Sequence, residues 1–240
     1  MKLFGKNPVL ERLRSNPKSV RKIHISEGHP DGSYVRKKAF AAGIPVVFVP
    51  HSKMVKLSKS LNTQGILAEV DDFVYMPFDE LLRMAEEKNL SIVFLDELND
   101  PQNLGAIIRS LACLGGFGIV LPTHDSVDIT EAVLRVASGA DNYIPVAKVS
   151  NLNSAISLAK KSGIWIVGAV TKEGKDLRDI SFSFPLALVL GSEQKGIRDI
   201  ILKQIDLPVT IPMSHPQLSL NVAQATGMIG YEIAKQKKRR

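Results

Sequence analysis

The side chains able to do chemistry gather in three short segments, each setting polar, glycine or proline residues beside an apolar run. They are Leu95-Asp-Glu-Leu-Asn-Asp-Pro-Gln-Asn-Leu-Gly-Ala-Ile-Ile-Arg109, Leu188-Val-Leu-Gly-Ser-Glu-Gln-Lys-Gly196 and Ile211-Pro-Met-Ser-His-Pro-Gln-Leu-Ser-Leu-Asn-Val-Ala-Gln-Ala225. In the first, a helix is expected to begin near Asn103, with Leu104, Ile107, Ile108 and Leu111 as its buried stripe. Arg109 lies off that stripe, one turn beyond Gly105 on the same face. Helical side chains lean toward the N-terminus, so its guanidinium would lie over a residue with no side chain, near a helix end that favours anions. That suits a phosphate or a substrate oxygen. An ion pair with Asp96 or Asp100 is the plainer alternative, and Asn103 has its own as a helix N-cap.

In the second segment an apolar strand runs into Gly191. A glycine there permits close backbone approach to a ligand at the carboxyl end of a strand, where α/β sheets bind ligands. Glu193 is suited to orienting a partner, or to being a first-turn helix carboxylate. In the third segment a strand ends at Ile211-Pro212-Met213 and a loop leads to Ser219-Leu220-Asn221 ahead of a final helix. Ser219 is placed to cap that helix, a role compatible with a second one in a site. Met213 is more often core than ligand contact, and His215 is a loop residue.

The elements that must position these groups read as strand, helix, strand, helix. Strands are expected at 92–95, 118–121, 164–170, 186–190 and 209–211, with helices at 104–114, 130–137, 152–161, 196–204 and 221–236. The strands are short, apolar and unalternated, as in a parallel sheet buried on both faces. Ahead of them, residues 1–74 read as a small α/β unit. It has helices at 7–14, 33–42 and 53–60 and strands at 20–26, 44–49 and 65–70. Residues 75–89 read as a linker and leading helix, and 90–240 as the second domain. The fold class is α/β.

Charge is uneven. Residues 1–74 carry 13 Lys and Arg against 6 Asp and Glu, whereas 75–240 carry 18 of each. A basic N-terminal unit and a basic tail suggest a polyanionic partner; solvated surface lysine explains the same charge equally well. The single cysteine, Cys113, excludes an internal disulfide framework and a multi-cysteine metal site. No histidine cluster has metal-ligand spacing. The longest apolar stretches are strand-sized, short of a membrane span, and no signal-peptide core opens the chain. A cytoplasmic protein is the expectation. Gly115-Gly116-Phe117-Gly118 lacks dinucleotide-loop spacing, and Ile197 stands where a P-loop has lysine.

In their order and spacing, the three segments resemble the signature motifs of the SpoU (TrmH-like) family of RNA ribose 2′-O-methyltransferases, of the SPOUT superfamily, over about residues 90–235. Gly5-Lys6-Asn7-Pro8-Val9-Leu10-Glu11 and Asn62-Thr63-Gln64-Gly65-Ile66 resemble the family's accessory substrate-binding domain, a ribosomal-protein-like module. The combination is most similar to the subgroup that methylates a guanosine ribose in large-subunit (23S) rRNA, with tRNA as the leading alternative substrate. The resemblance implies a deep trefoil knot in the C-terminal part, a fold that general topology rules would reject. It implies S-adenosylmethionine bound at backbone around Gly191, Ile211, Met213 and Leu220, and a catalytic set of Asn103, Arg109, Glu193, Ser219 and Asn221. It also implies a homodimer with RNA as partner; from the histidine spacing and the short apolar stretches above, neither a metal nor a membrane is expected. The chain departs from the family pattern at Gln194, at Ala223-Gln224, and in the glycine-free loop Ser214-His-Pro-Gln217. These bear on cofactor-loop geometry and substrate choice. A non-catalytic RNA-binding protein on the same scaffold is the rival that the five retained catalytic positions oppose. A nucleotide-dependent oxidoreductase is opposed by the missing glycine fingerprint.

Overall fold

A computed structural model describes residues 1–58, 64–215 and 218–238. Asn62 and Thr63 of the second accessory-domain segment, the end of the helix expected at 53–60, and Pro216 and Gln217 of the glycine-free loop lie outside the described residues. The chain opens with β1 (Lys2–Phe4), α1 (Lys6–Ser15), β2 (Val20–Ser26), α2 (Gly32–Ala41), β3 (Val46–Val49), α3 (His51–Ser58) and β4 (Ile66–Val70). It continues with α4 (Phe78–Glu87), β5 (Ser91–Leu95), α5 (Pro101–Leu114), β6 (Phe117–Pro122), α6 (Glu131–Ala137), β7 (Val146–Val149) and α7 (Leu152–Lys161). It ends with β8 (Trp165–Ala169), β9 (Lys175–Asp176), β10 (Leu186–Leu190), α8 (Asp199–Leu202), β11 (Leu207–Thr210) and α9 (Val222–Lys237).

Two compact units result: residues 1–74 with 129–142, and residues 75–128 with 143–240. The first is built on a four-stranded sheet of order β1-β4-β2-β3, with β2 and β3 parallel and the other pairings antiparallel. Leu3, Val9, Ile23, Ile25, Val35 and Met54 fill its core. Residues 129–142, which lie within the span 90–240 expected as the second domain, pack with the first unit. Three contacts build that stretch into the first unit. Glu131 accepts the Lys2 backbone N–H at 2.9 Å, the Arg135 guanidinium lies 4.5 Å from the Phe4 ring centroid, and Arg12 pairs with Asp141 at 2.6 Å. Both partners of that pair are buried, and burial raises the Asp141 carboxyl above its ordinary pKa more strongly than the neighbouring guanidinium lowers it. A seven-residue helix with three buried residues does not say in sequence which sheet it will cover.

The second unit holds a seven-stranded sheet of order β7-β6-β5-β10-β8-β11-β9, parallel at every pairing. Every residue of β5, β6 and β10 is buried, which is why those strands read as unbroken apolar runs. Helix α4, expected as a leading helix beside a linker, puts Leu81, Leu82 and Ala85 into this unit's core, and Met76 ahead of it bridges to Ala147. Strands β1, β7 and β9 were not anticipated from sequence. The helix expected at 196–204 is only four residues long. Gly196 has φ +69, and the Arg198 backbone N–H is held by an Asp96 carboxylate oxygen at 3.0 Å, so the chain turns helical only at Asp199. Strands β5, β8, β10 and β11, all parallel, deliver residues 96–100, 170–174, 191–198 and, after β11, 211–215 and 218–221 to one end of the sheet. No helix among the described residues is long and apolar enough to cross a membrane.

Candidate functional site

Strand β5 delivers Asp96, whose side chain is fully buried, directly behind Leu95. Asp100 then caps α5, accepting the Gln102 N–H at 2.8 Å, and Pro101 takes the first helical position. The helix therefore starts earlier than expected, and Asn103 is inside it rather than at its cap. Asn103 is buried, with its carboxamide free of capping duty. The two carboxylates that were alternative partners for Arg109 are both engaged elsewhere. Asp100 is the cap, and Asp96 accepts from Arg198 Nε at 2.8 Å and Nη2 at 2.6 Å. Arg109 is exposed and makes no hydrogen bond or ion pair among the described residues.

Beyond β10 the loop folds back on itself. A Cβ at Gly191 would stand 2.0 Å from the Gly196 carbonyl carbon and 2.2 Å from the Ile197 nitrogen, so only glycine fits. The Gly196 N–H donates to the Ser192 carbonyl at 2.9 Å and the Lys195 N–H to the Ser192 hydroxyl at 3.3 Å. Arg198 pins the far end to Asp96, and that hydrogen bond is the main reason its own pKa is raised. With its ends held, the loop presents the exposed Glu193 toward α5, where its carboxylate accepts from Asn103 Nδ2.

The third segment completes the constellation. Asn221, not Ser219, caps α9: its Oδ1 accepts the Ala223 N–H at 2.8 Å, and Gln224 Oε1 accepts the Asn221 N–H at 3.3 Å. The departure at Gln224 thus supplies half of a capping box. The other end of the Asn221 carboxamide donates to Asn103 Oδ1 at 2.8 Å. A continuous relay runs from the Glu193 carboxylate through Asn103 to Asn221 and the N-terminus of α9, joining all three segments.

Beside the relay lies a cavity of about 290 Å³, at the lower end of the range for small-molecule sites. Gly191, Glu193, Ile211, Met213, Ser219 and Leu220 line it together. Its apolar wall comes from Leu190, Val209, Val222, Ala225 and Ile229, and irregular backbone at both loops offers hydrogen-bonding groups. Asn103, Asn221 and Arg109 are not among its lining residues. Ala169, Val170, Thr171 and Lys195 also line it and were missed from sequence. The position of 169–171 at the carboxyl end of an apolar strand in a parallel sheet was the available signal. Among the described residues no group of three or more His, Cys, Asp or Glu side chains is placed to hold a metal ion.

A parallel sheet with a ligand-sized cavity at its strand ends, a polar relay beside it and no dinucleotide fingerprint defines a small-molecule-binding α/β protein outside the dinucleotide class. Residues 90–231 match the SpoU rRNA Methylase family, and the chain belongs to it. Residues 2–76 match the family described as RNA 2′-O ribose methyltransferase substrate binding. YacO of Bacillus subtilis (strain 168), assigned by name to the TrmH family of tRNA/rRNA methyltransferases, is 37% identical over 235 residues, covering 96% of this chain and 94% of its own. Among solved structures, the SpoU methyltransferase AviRb of Streptomyces viridochromogenes, in complex with AdoMet, is similar at a TM-score of 0.81. Its identity is 23%, and the match covers 99% of this chain and 90% of that one. An AdoMet-bound rRNA methyltransferase of Sinorhizobium meliloti is similar at 0.80, with 24% identity, 98% of this chain and 87% of that one.

Proposed function

We propose that this chain transfers a methyl group from S-adenosylmethionine to a ribose 2′-hydroxyl in RNA, at a guanosine of 23S rRNA, as a homodimer. The observation that carries the reading is the Glu193–Asn103–Asn221 relay, which joins the three motif segments beside a cavity of cofactor size. The cavity fits such a cofactor. Its apolar wall suits a purine ring and a thioether chain, and the backbone around Gly191, Ile211, Met213 and Leu220 would hold the ring's polar edge. When bound, the cofactor supplies an electrophilic methyl group.

The chain's residues supply position and charge. A ribose hydroxyl is a weak nucleophile until its proton is lost or strongly polarised. Arginine stays protonated in proteins, so Arg109 acts as a fixed cation. Its N–H groups hold the 2′-oxygen, or the adjacent phosphate, as the O–H bond weakens and the proton leaves to solvent. The relay fixes Glu193 and Asn221 around the reacting atoms, and Ser219 shapes the cavity mouth. Family membership also supports a deep trefoil knot in the C-terminal part. The basic first unit, which matches a substrate-binding family, supports RNA capture there.

The experiment is transfer of labelled methyl from S-adenosylmethionine to unmodified 23S rRNA and to tRNA in parallel, with the modified nucleoside identified. The expected product is 2′-O-methylguanosine in rRNA alone. Label in tRNA alone would keep the chemistry and replace the substrate. No transfer to either with the cofactor still bound would point to a missing partner or a pre-assembled ribosomal substrate, and no cofactor binding at all would favour the non-catalytic reading.

A further inference from the structure

The first unit carries a surface that the cavity and relay do not use. From Gly32 to Ala68 the chain has no acidic residue, yet it holds Arg36, Lys37, Lys38, Lys53, Lys56 and Lys59. Phe40 and Phe48, in the same stretch, are the two exposed phenylalanines, at 84% and 39%. Every other phenylalanine of the chain is at least partly buried.

Helix α2 turns Gly32, Val35 and Ala39 to the core, which leaves Arg36 and Phe40, one turn apart, on one flank. Phe48 stands on β3, the edge strand of the sheet. Its ring passes over Gly32, where a Cβ would meet the ring at 3.2 Å, and the Arg36 guanidinium lies 6.0 Å from its centroid. On the other flank Lys38 Nζ is 5.7 Å from the centroid of the half-exposed Tyr34 ring. None of Arg36, Lys37 and Lys38 has a carboxylate partner among the described residues.

Exposed aromatic rings interleaved with cations that lack a carboxylate partner fit one occupant best, an unpaired nucleic-acid strand. Its bases stack on rings and its phosphates meet cations. A duplex buries its base faces and can use only the charge. We propose that the α2–β3 face stacks unpaired bases of the RNA on Phe40 and Phe48, with Arg36 and Lys37 on the flanking phosphates. This rests on the RNA methyl-transfer reading and narrows its substrate to RNA with a looped or single-stranded segment within reach of the first unit.

The test uses the full chain, a fluorescent RNA hairpin with a large unpaired loop, and the loop strand annealed to its complement. Wild type should prefer the hairpin. Phe40→Ala should weaken hairpin binding roughly tenfold, leave duplex binding unchanged, and leave the salt dependence of log Kd unchanged. Phe40→Trp should restore affinity. Lys37→Ala should instead lower the salt slope by roughly 0.7 on the hairpin. Hairpin affinity untouched by Phe40→Ala, or an equal loss on duplex, would overturn the proposal. Untouched RNA affinity with an altered molecular mass in solution would also overturn it, assigning the face to a protein contact. Cofactor binding and labelled-methyl transfer by wild type, measured alongside, separate the two readings. Transfer without a Phe40 effect sinks this proposal alone, and a Phe40 effect without cofactor binding sinks the methyl-transfer reading alone.

Discussion

Two parts of the same site are built in opposite ways. Asn103, Glu193 and Asn221 are tied to one another and to a helix cap before any substrate arrives. Arg109, two turns along the same helix as Asn103, is exposed and bonded to nothing among the described residues. Asn103 is buried and spends one donor and one lone pair on its two relay partners. Its work is to hold the loops of three segments in register. A guanidinium with all its donors free carries its full capacity to a phosphate or an oxygen. On the proposed function the contrast divides the work: the relay would orient and Arg109 would act, although sequence alone grouped all five residues together.

The sharpest break between the two parts is Arg109→Ala. Removing a fixed charge from developing negative charge should lower methyl transfer about 100- to 1,000-fold. Cofactor affinity and melting temperature should stay at wild-type values, because the side chain supports nothing in the fold. Gly191→Ala probes the cavity and the loop that carries Glu193, and leaves Arg109 untouched. Its Cβ overlaps backbone, an overlap costing about 1–3 kcal/mol, so calorimetry should show cofactor affinity reduced about tenfold to a hundredfold. Asn103→Leu should give a mixed phenotype that Arg109→Ala does not: a transfer rate lowered about tenfold together with about 1–3 kcal/mol of stability lost, as Glu193 and Asn221 lose their partner. Unchanged stability in that variant would mean that the relay is not formed in solution. The smallest effect belongs to Gln224→Val, which removes half of the α9 capping box. Chemical denaturation should register about 0.5–1 kcal/mol with transfer little changed.

The legibility of these features followed the range of the interactions behind them. Strands β2 and β10 and helix α7 were read from sequence at their observed bounds, because apolar–polar alternation in β2, an unbroken apolar run in β10 and a clean helical period in α7 leave their mark residue by residue. All four expected cofactor-loop residues do line one cavity. What sequence did not show depends on partners far along the chain. Asp141 meets Arg12 across 129 positions, which is why residues 129–142 join the first unit. Asn103 meets Glu193 and Asn221 across 90 and 118 positions. Locally, Ser219 therefore reads as a possible cap of α9, and an N-cap role stands as the plainer alternative for Asn103 beside its place in the catalytic set. Arg198 was passed over entirely, although its bonds to Asp96 shorten α8 and pin the Gly191–Gly196 loop.

The division of labour between relay and arginine is tested most directly by chemical rescue. Single-turnover methyl transfer would be measured for Arg109→Ala and Asn103→Leu across a series of free guanidinium concentrations too low to unfold either variant. If Arg109 supplies a cation to the reacting oxygen or its phosphate, guanidinium should restore transfer in Arg109→Ala, saturably, and do nothing for Asn103→Leu. Substantial transfer by Arg109→Ala without any added guanidinium, or equal rescue of both variants, would contradict the account.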